Sequence, residues 1–268
     1  MRDGKRFLVA ANWKMNKTVA EALDFAEKFA KPRAPRVEAV VCPPFTALHA
    51  LSVKLKGSGV SLGGQNVFYE DSGTFTGEVS PLMLKEMCSY VIVGHSERRS
   101  RLGETDAAVA RKLAKALEHG LRPILCVGET QEEKEAGKGK DVVSGQLRAA
   151  LSGLAKGSGD GLEIAYEPLW AISKGAGDQK TQTATPEDAQ KMHAFIRGVI
   201  SGMLGGAPGR GIRILYGGSV KADNVAGFAA MPDVDGVLVG GASLDPEAFS
   251  GIIRNSDSAF SPAAPHKK

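Results

Sequence analysis

No stretch of the 268-residue chain approaches the ~20 consecutive apolar residues that a membrane helix needs, and the amino terminus lacks an apolar signal core. The expectation is a protein that neither spans a membrane nor is exported, with the cytoplasm as its compartment. Cysteine is scarce. Cys42, Cys88 and Cys126 make three, an odd number without CxxC spacing. Two of them sit in apolar runs, which suits buried free thiols in a reducing compartment better than a disulfide frame. A dominant charge is missing as well. The 34 basic and 30 acidic residues are interleaved, and a net +4 spread this way does not make a nucleic-acid surface. The five histidines are scattered, with no HxxxH pair or acidic cluster at metal-ligating spacing. Gly57–Leu62 misses the last glycine of a dinucleotide fingerprint. Gly175–Thr181 carries Gln179 where a P-loop has the glycine before its lysine. No metal and no cofactor are predicted.

Short apolar runs alternate with longer helical patterns. The predicted strands are Phe7–Ala11, Val37–Cys42, Val60–Gly64, Tyr90–Val93, Pro123–Val127, Leu162–Tyr166, Ile212–Tyr216 and Asp235–Val239. Between them lie helical stretches such as Val19–Ala30, Asp106–His119, Val142–Ala155 and Pro186–Ile200. In Asp106–His119 the residues Ala107, Ala110, Leu113, Ala114 and Leu117 recur at helical spacing, with Arg111, Lys112, Lys115 and Glu118 on the other face. Thr105 fits an N-cap there and Gly120 a stop. The strands are apolar throughout rather than alternating, as parallel strands buried on both faces are. Eight such units without a linker predict a single-domain α/β fold, a (β/α)8 barrel over residues 1–253. An open doubly wound sheet is the alternative. Residues 254–268 lack periodicity and read as a frayed tail.

Three strands end in chemistry. Phe7–Ala11 runs into Asn12-Trp13-Lys14, Tyr90–Val93 into Gly94-His95-Ser96-Glu97, and Leu162–Tyr166 into Glu167-Pro168-Leu169-Trp170. Alone, Glu167 reads as a cap or ion-pair partner and Lys14 as a solvated surface group. His95 stands ahead of a helix that Ser96 could cap, where the dipole disfavours an imidazolium. In a barrel all strand ends face one mouth, so base, imidazole and ammonium would converge on a charged substrate. Tyr216-Gly217-Gly218-Ser219 and Gly240-Gly241-Ala242-Ser243 follow the seventh and eighth strands, where backbone N–H groups commonly hold phosphate in this fold.

These residues, with Ala11-Asn12-Trp13-Lys14-Met15-Asn16, Gly73-Thr74-Phe75-Thr76-Gly77-Glu78, Val93-Gly94-His95-Ser96-Glu97-Arg98-Arg99, Cys126-Val127-Gly128-Glu129 and Tyr166-Glu167-Pro168-Leu169-Trp170, resemble the triosephosphate isomerase family from about Lys5 to Ile253. The resemblance implies a TIM barrel that interconverts dihydroxyacetone phosphate and D-glyceraldehyde 3-phosphate through an enediolate, in glycolysis and gluconeogenesis. It implies that Glu167 moves the proton, His95 polarises the carbonyl as a neutral electrophile, and Lys14 stabilises the oxyanion beside Asn12. Backbone N–H groups of Ser173, Ser219, Gly240 and Gly241 would hold the phosphate. Glu97 and Cys126 would support the site, and Ile172 and Leu238 would press on the base. Thr76 would reach into a second copy, giving a homodimer. One departure stands out. Ser173–Thr183 is about half a dozen residues longer than the family's lid, and Ser173 replaces a usual glycine. The same resemblance therefore leaves room for an impaired phosphosugar-binding barrel. Another isomerase on the same barrel, acting on a ring-bearing phosphosugar, is the second alternative.

Overall fold

A computed structural model gives the fold and describes residues 4–29, 32–171 and 184–260. Eight parallel strands, β1 (Phe7–Asn12), β2 (Val37–Cys42), β3 (Val60–Gly64), β4 (Tyr90–Val93), β5 (Arg122–Val127), β6 (Glu163–Tyr166), β7 (Arg213–Tyr216) and β8 (Gly236–Val239), close in chain order into a barrel. Closure comes from β8 pairing back onto β1, with Leu8 opposite Gly236 and Ala11 opposite Val239. The open-sheet alternative is thereby excluded.

The uniform apolarity of the strands has a two-sided cause. Leu8, Ala10, Val40, Ile92, Ile124, Ala165 and Leu215 fill the barrel interior. Their neighbours Val9, Val41, Val91, Leu125, Ile164 and Ile214 turn outward into a larger core under the helices. Apart from a few half-buried residues near the strand starts, both faces are buried, so nothing in the pattern alternates. Helices carry the chain back between strands, and side-chain caps fix where they start. Thr18, Thr130 and Thr185 each form a reciprocal capping box with Glu21, Glu133 and Asp188.

Two expectations need correction. Helix Asp106–Glu118 buries Val109, Lys112, Leu113 and Ala116, a stripe rotated from the predicted one. Thr105 does cap it, and Gly120 follows with φ +73°. Lys112 can be buried because its ammonium meets Asn66 Oδ1 at 2.8 Å and the carboxylate of Glu104. The second correction concerns the chain end. The last helix runs Pro246–Ala259, so the boundary predicted at 253 falls inside it. Asp257 accepts from Arg36 N at 2.8 Å, and the buried Phe260 ring lies 5.3 Å from Phe7. Burying that ring stabilises the closure by about 2 kcal/mol. Residues 261–268 lie outside the described ones. No helix among the described residues is long and apolar enough to cross a membrane.

Candidate active site

Strand ends set the site. Glu167 follows β6 and is 2% exposed, although nothing about a strand exit obliges a carboxylate to be buried. Both of its oxygens are engaged. Oε1 lies 2.8 Å from His95 Nε2, and Oε2 accepts from Ser96 N at 2.9 Å. His95 follows β4 after Gly94 and is itself the N-cap of helix Ser96–Leu102, with Nδ1 accepting from Glu97 N at 3.2 Å. The predicted cap, Ser96, instead gives its backbone N–H to the carboxylate.

This geometry fixes the ring's proton. Burial lowers the affinity of His95 for a second proton, while the facing Glu167 carboxylate raises it and prevails electrostatically. Burial likewise raises the affinity of Glu167, but His95 and the N–H of Ser96 hold its carboxyl below the usual range. A second proton on the imidazole has only Nδ1 to occupy, where it would collide with the N–H of Glu97. With Nδ1 accepting from Glu97 N, the ring's proton lies on Nε2, which faces Glu167.

Lys14 arrives from β1 with φ +52°, a left-handed conformation that only strong local bonding holds in a non-glycine residue. Its N–H donates to Asn12 Oδ1 at 3.0 Å. Its carbonyl accepts from Gln65 Nε2 at 2.9 Å, and that same amide nitrogen reaches Cys42 O at 2.9 Å. The ammonium pairs with Glu97 Oε1 at 2.7 Å and lies beside the turn after β8, where a Cβ on Gly240 would stand 3.9 Å from Nζ. Structure thus brings Asn12, Lys14, His95, Glu97, Glu167 and Gly240 to one end of the barrel. Cys126 and Leu238 lie in the interior directly beneath. Burial, then the adjacent Glu167, pushes the Cys126 thiol far up, so it stays protonated.

The glycine pair after β7 has a steric cause of its own. A Cβ on Gly217 would come within 2.9 Å of Glu167 Cγ, and one on Gly218 within 2.1 Å of the Tyr216 hydroxyl. Those glycines make room for the carboxylate and the phenol. The N–H of Ser219 is already bonded to Ala171 O at 3.2 Å. Gly241 faces open space. Thr76 is exposed on the segment after β3. Ile172, Ser173 and the rest of the lengthened lid lie outside the described residues.

Two participants carry no role in the sequence reading. Gln65 has no charge or reactive atom to flag it; its signal is only its place at the end of β3. Glu129 lies just past β5 and accepts from Tyr166 and Trp170, each at 2.8 Å, which anchors the chain entering the lid. Size does not mark the site either. A cavity of about 550 Å³ at the opposite end of the barrel is lined by Lys5, Arg6, Glu38, Arg122, Glu163 and Arg213, whose charges largely pair with one another. His119, Asp71 and Glu118 do come together, contrary to the scattered pattern in sequence, but Lys115 pairs with both carboxylates.

The family model described as triosephosphate isomerase matches residues 7–256, nearly the whole barrel. The chain belongs to the triosephosphate isomerase family. A triosephosphate isomerase of Herpetosiphon aurantiacus is 49% identical over 253 residues, covering 93% of this chain and 99% of that protein. That of Chloroflexus aurantiacus is 50% identical over 249 residues, covering 92% and 97%. The triosephosphate isomerase of Aquifex aeolicus is 48% identical over 251 residues, covering 92% and 98%.

Proposed function

We propose that this protein interconverts dihydroxyacetone phosphate and D-glyceraldehyde 3-phosphate, with Glu167 as the base. The observation that carries the reading is the contact between a buried carboxylate and a buried imidazole, 2.8 Å apart, beside the Lys14 ammonium. A proton on carbon next to a carbonyl is too weakly acidic for a solvated carboxylate. The demand therefore falls on stabilising the oxygen that becomes negative.

Each residue then has a task. Glu167 takes the proton as the C–H electrons move into the carbon–carbon bond and onto the carbonyl oxygen. The Nε2–H of His95 and the ammonium of Lys14 stabilise that oxygen; the hydroxyl proton on the adjacent carbon then passes to it, and as the second oxygen becomes the carbonyl the carboxylic acid of Glu167 returns its proton to the neighbouring carbon. Binding has to separate His95 from Glu167, because the same N–H cannot serve both. Freed of that bond in a dry site, the carboxylate becomes more basic, as the reaction requires. Gly240 and Gly241, beside Lys14, suit the dianionic phosphate through their N–H groups. Ser219 would first have to release Ala171 O, and Ser173 and Ile172 keep the roles assigned by resemblance.

The cytoplasm and a homodimer belong to this reading. Met15, next to Lys14, is 96% exposed, and Phe75, beside Thr76, is 42% exposed. Large apolar side chains standing in water next to a site favour a covering partner, here a second copy reached through Thr76. No feature of the described residues favours the impaired binding barrel.

A coupled assay tests the activity. Rapid turnover of glyceraldehyde 3-phosphate without added cofactor is expected, with none on ring-bearing phosphosugars. Tight binding of the triose with no turnover would overturn the reading.

A further inference from the structure

We propose that Arg99 is a positioning residue of this site: its guanidinium ties the peptide ahead of His95 to the end of β5, and so sets how the imidazole meets Glu167. This rests on the function proposed above. Arg99 belongs to helix Ser96–Leu102, yet its side chain turns back under the strand ends. Nε donates to the carbonyl of Gly94 at 2.8 Å, Nη1 to Asp106 Oδ1 at 2.5 Å, and Nη2 faces the carbonyl of Cys126 at 3.5 Å. Gly94 is the residue before His95. Cys126 is the residue whose thiol lies against Glu167. One planar cation therefore joins the backbone that carries the electrophile to the strand that backs the base.

The surroundings are shaped around that cation. Gly94 takes φ +71°, and a Cβ there would stand 3.0 Å from Arg99 Nη2 and 3.0 Å from Val109 Cγ2. The glycine serves the guanidinium as well as the turn. A bridge to Asp106 alone would contribute little, since that carboxylate is 45% exposed. The two carbonyl contacts are what a surface ion pair has no use for. Lysine cannot replace them, because a single ammonium cannot hold three acceptors in a fixed plane. Arg99 also lines a cavity of about 230 Å³ whose wall includes Ser96, Cys126 and Glu167, so a small cation can reach its place from outside the barrel.

The test measures kcat and KM for glyceraldehyde 3-phosphate in Arg99→Ala, Arg99→Lys and Asp106→Asn. Arg99→Ala should lose at least ~10-fold in kcat with KM within about 3-fold, as misplaced catalytic groups do. Millimolar guanidinium should restore part of that kcat and methylammonium should not. Arg99→Lys should stay impaired, and Asp106→Asn should stay near wild type. Nitrogen NMR of the His95 ring reads the same geometry without turnover, and its Nε2 signal should move in both Arg99 variants. A kcat near wild type in Arg99→Lys overturns the proposal, even if Arg99→Ala fails to fold. So does equal rescue by the two cations, or an unmoved Nε2 signal. A wild-type enzyme that ignores trioses would count against the proposed function alone, leaving the NMR comparison to judge Arg99.

Discussion

His95 Nε2 donates to Glu167 Oε1 across 2.8 Å, and Ser96 N holds the other carboxylate oxygen at 2.9 Å. Under the proposed mechanism these are the electrophile and the base, joined directly to each other. That mechanism requires the bond between them to open before either meets the substrate. Close neighbours set where the Glu167 side chain lies.

Gly217 is one of those neighbours. An alanine there would put its Cβ 2.9 Å from Glu167 Cγ and 3.1 Å from Tyr166 O. The carboxylate has to shift, and a shift of about 1 Å costs roughly 10²-fold in rate. Gly217→Ala should therefore lower kcat by about that factor while circular dichroism reports an intact barrel. Wild-type kcat would show that Glu167 tolerates displacement.

Lys112 offers a stability test. Its ammonium is 6% exposed and sits between Glu104 and Asn66, with Arg98 Nε 3.0 Å from the same carboxylate. Lys112→Met strands a buried carboxylate with only Arg98 to answer it, at a cost of about 3 kcal/mol. For a protein this size each kcal/mol lowers Tm by roughly 2–4 °C. A Tm unchanged within a degree would mean that Arg98 suffices.

His193 governs part of the acid limb. Its ring is fully buried, Nδ1 meets Asp233 O at 3.2 Å, and Nε2 has no partner among the described residues. Burial pushes its pKa from the ordinary 6.5 down to about 4. Above pH 6.5 the ring is neutral folded or unfolded. As pH falls from 6.5 to about 4, only the unfolded chain takes the proton. Stability should drop by on the order of 3 kcal/mol through that window and then level off. His193→Asn should flatten the Tm profile between those pH values, and an unaltered slope would contradict this.

Much of this was legible in the chain itself. The strands read clearly because Val9 and Ala10, adjacent in sequence, are both buried on opposite faces. The gathering of Asn12, Lys14, His95 and Glu167 was legible because strand ends of a barrel share one mouth. Three things were not. Lys112 looked solvent-facing, since its charge hides the partners that permit burial. The last helix looked frayed because the contacts that hold it, Asp257 with Arg36 and Phe260 with Phe7, join distant parts of the chain. Gln65 carries no titratable group, so only the strained Lys14 backbone it supports reveals its use.

Deuterium transfer tests the central claim most directly. Glyceraldehyde 3-phosphate is converted in D2O, and proton NMR follows label entering the carbon next to the carbonyl of the product. Wild type should incorporate solvent deuterium there, and Glu167→Gln should slow conversion and incorporation together by at least ~10²-fold. Undiminished incorporation in Glu167→Gln would contradict the assignment of that carboxylate as the group that moves the proton.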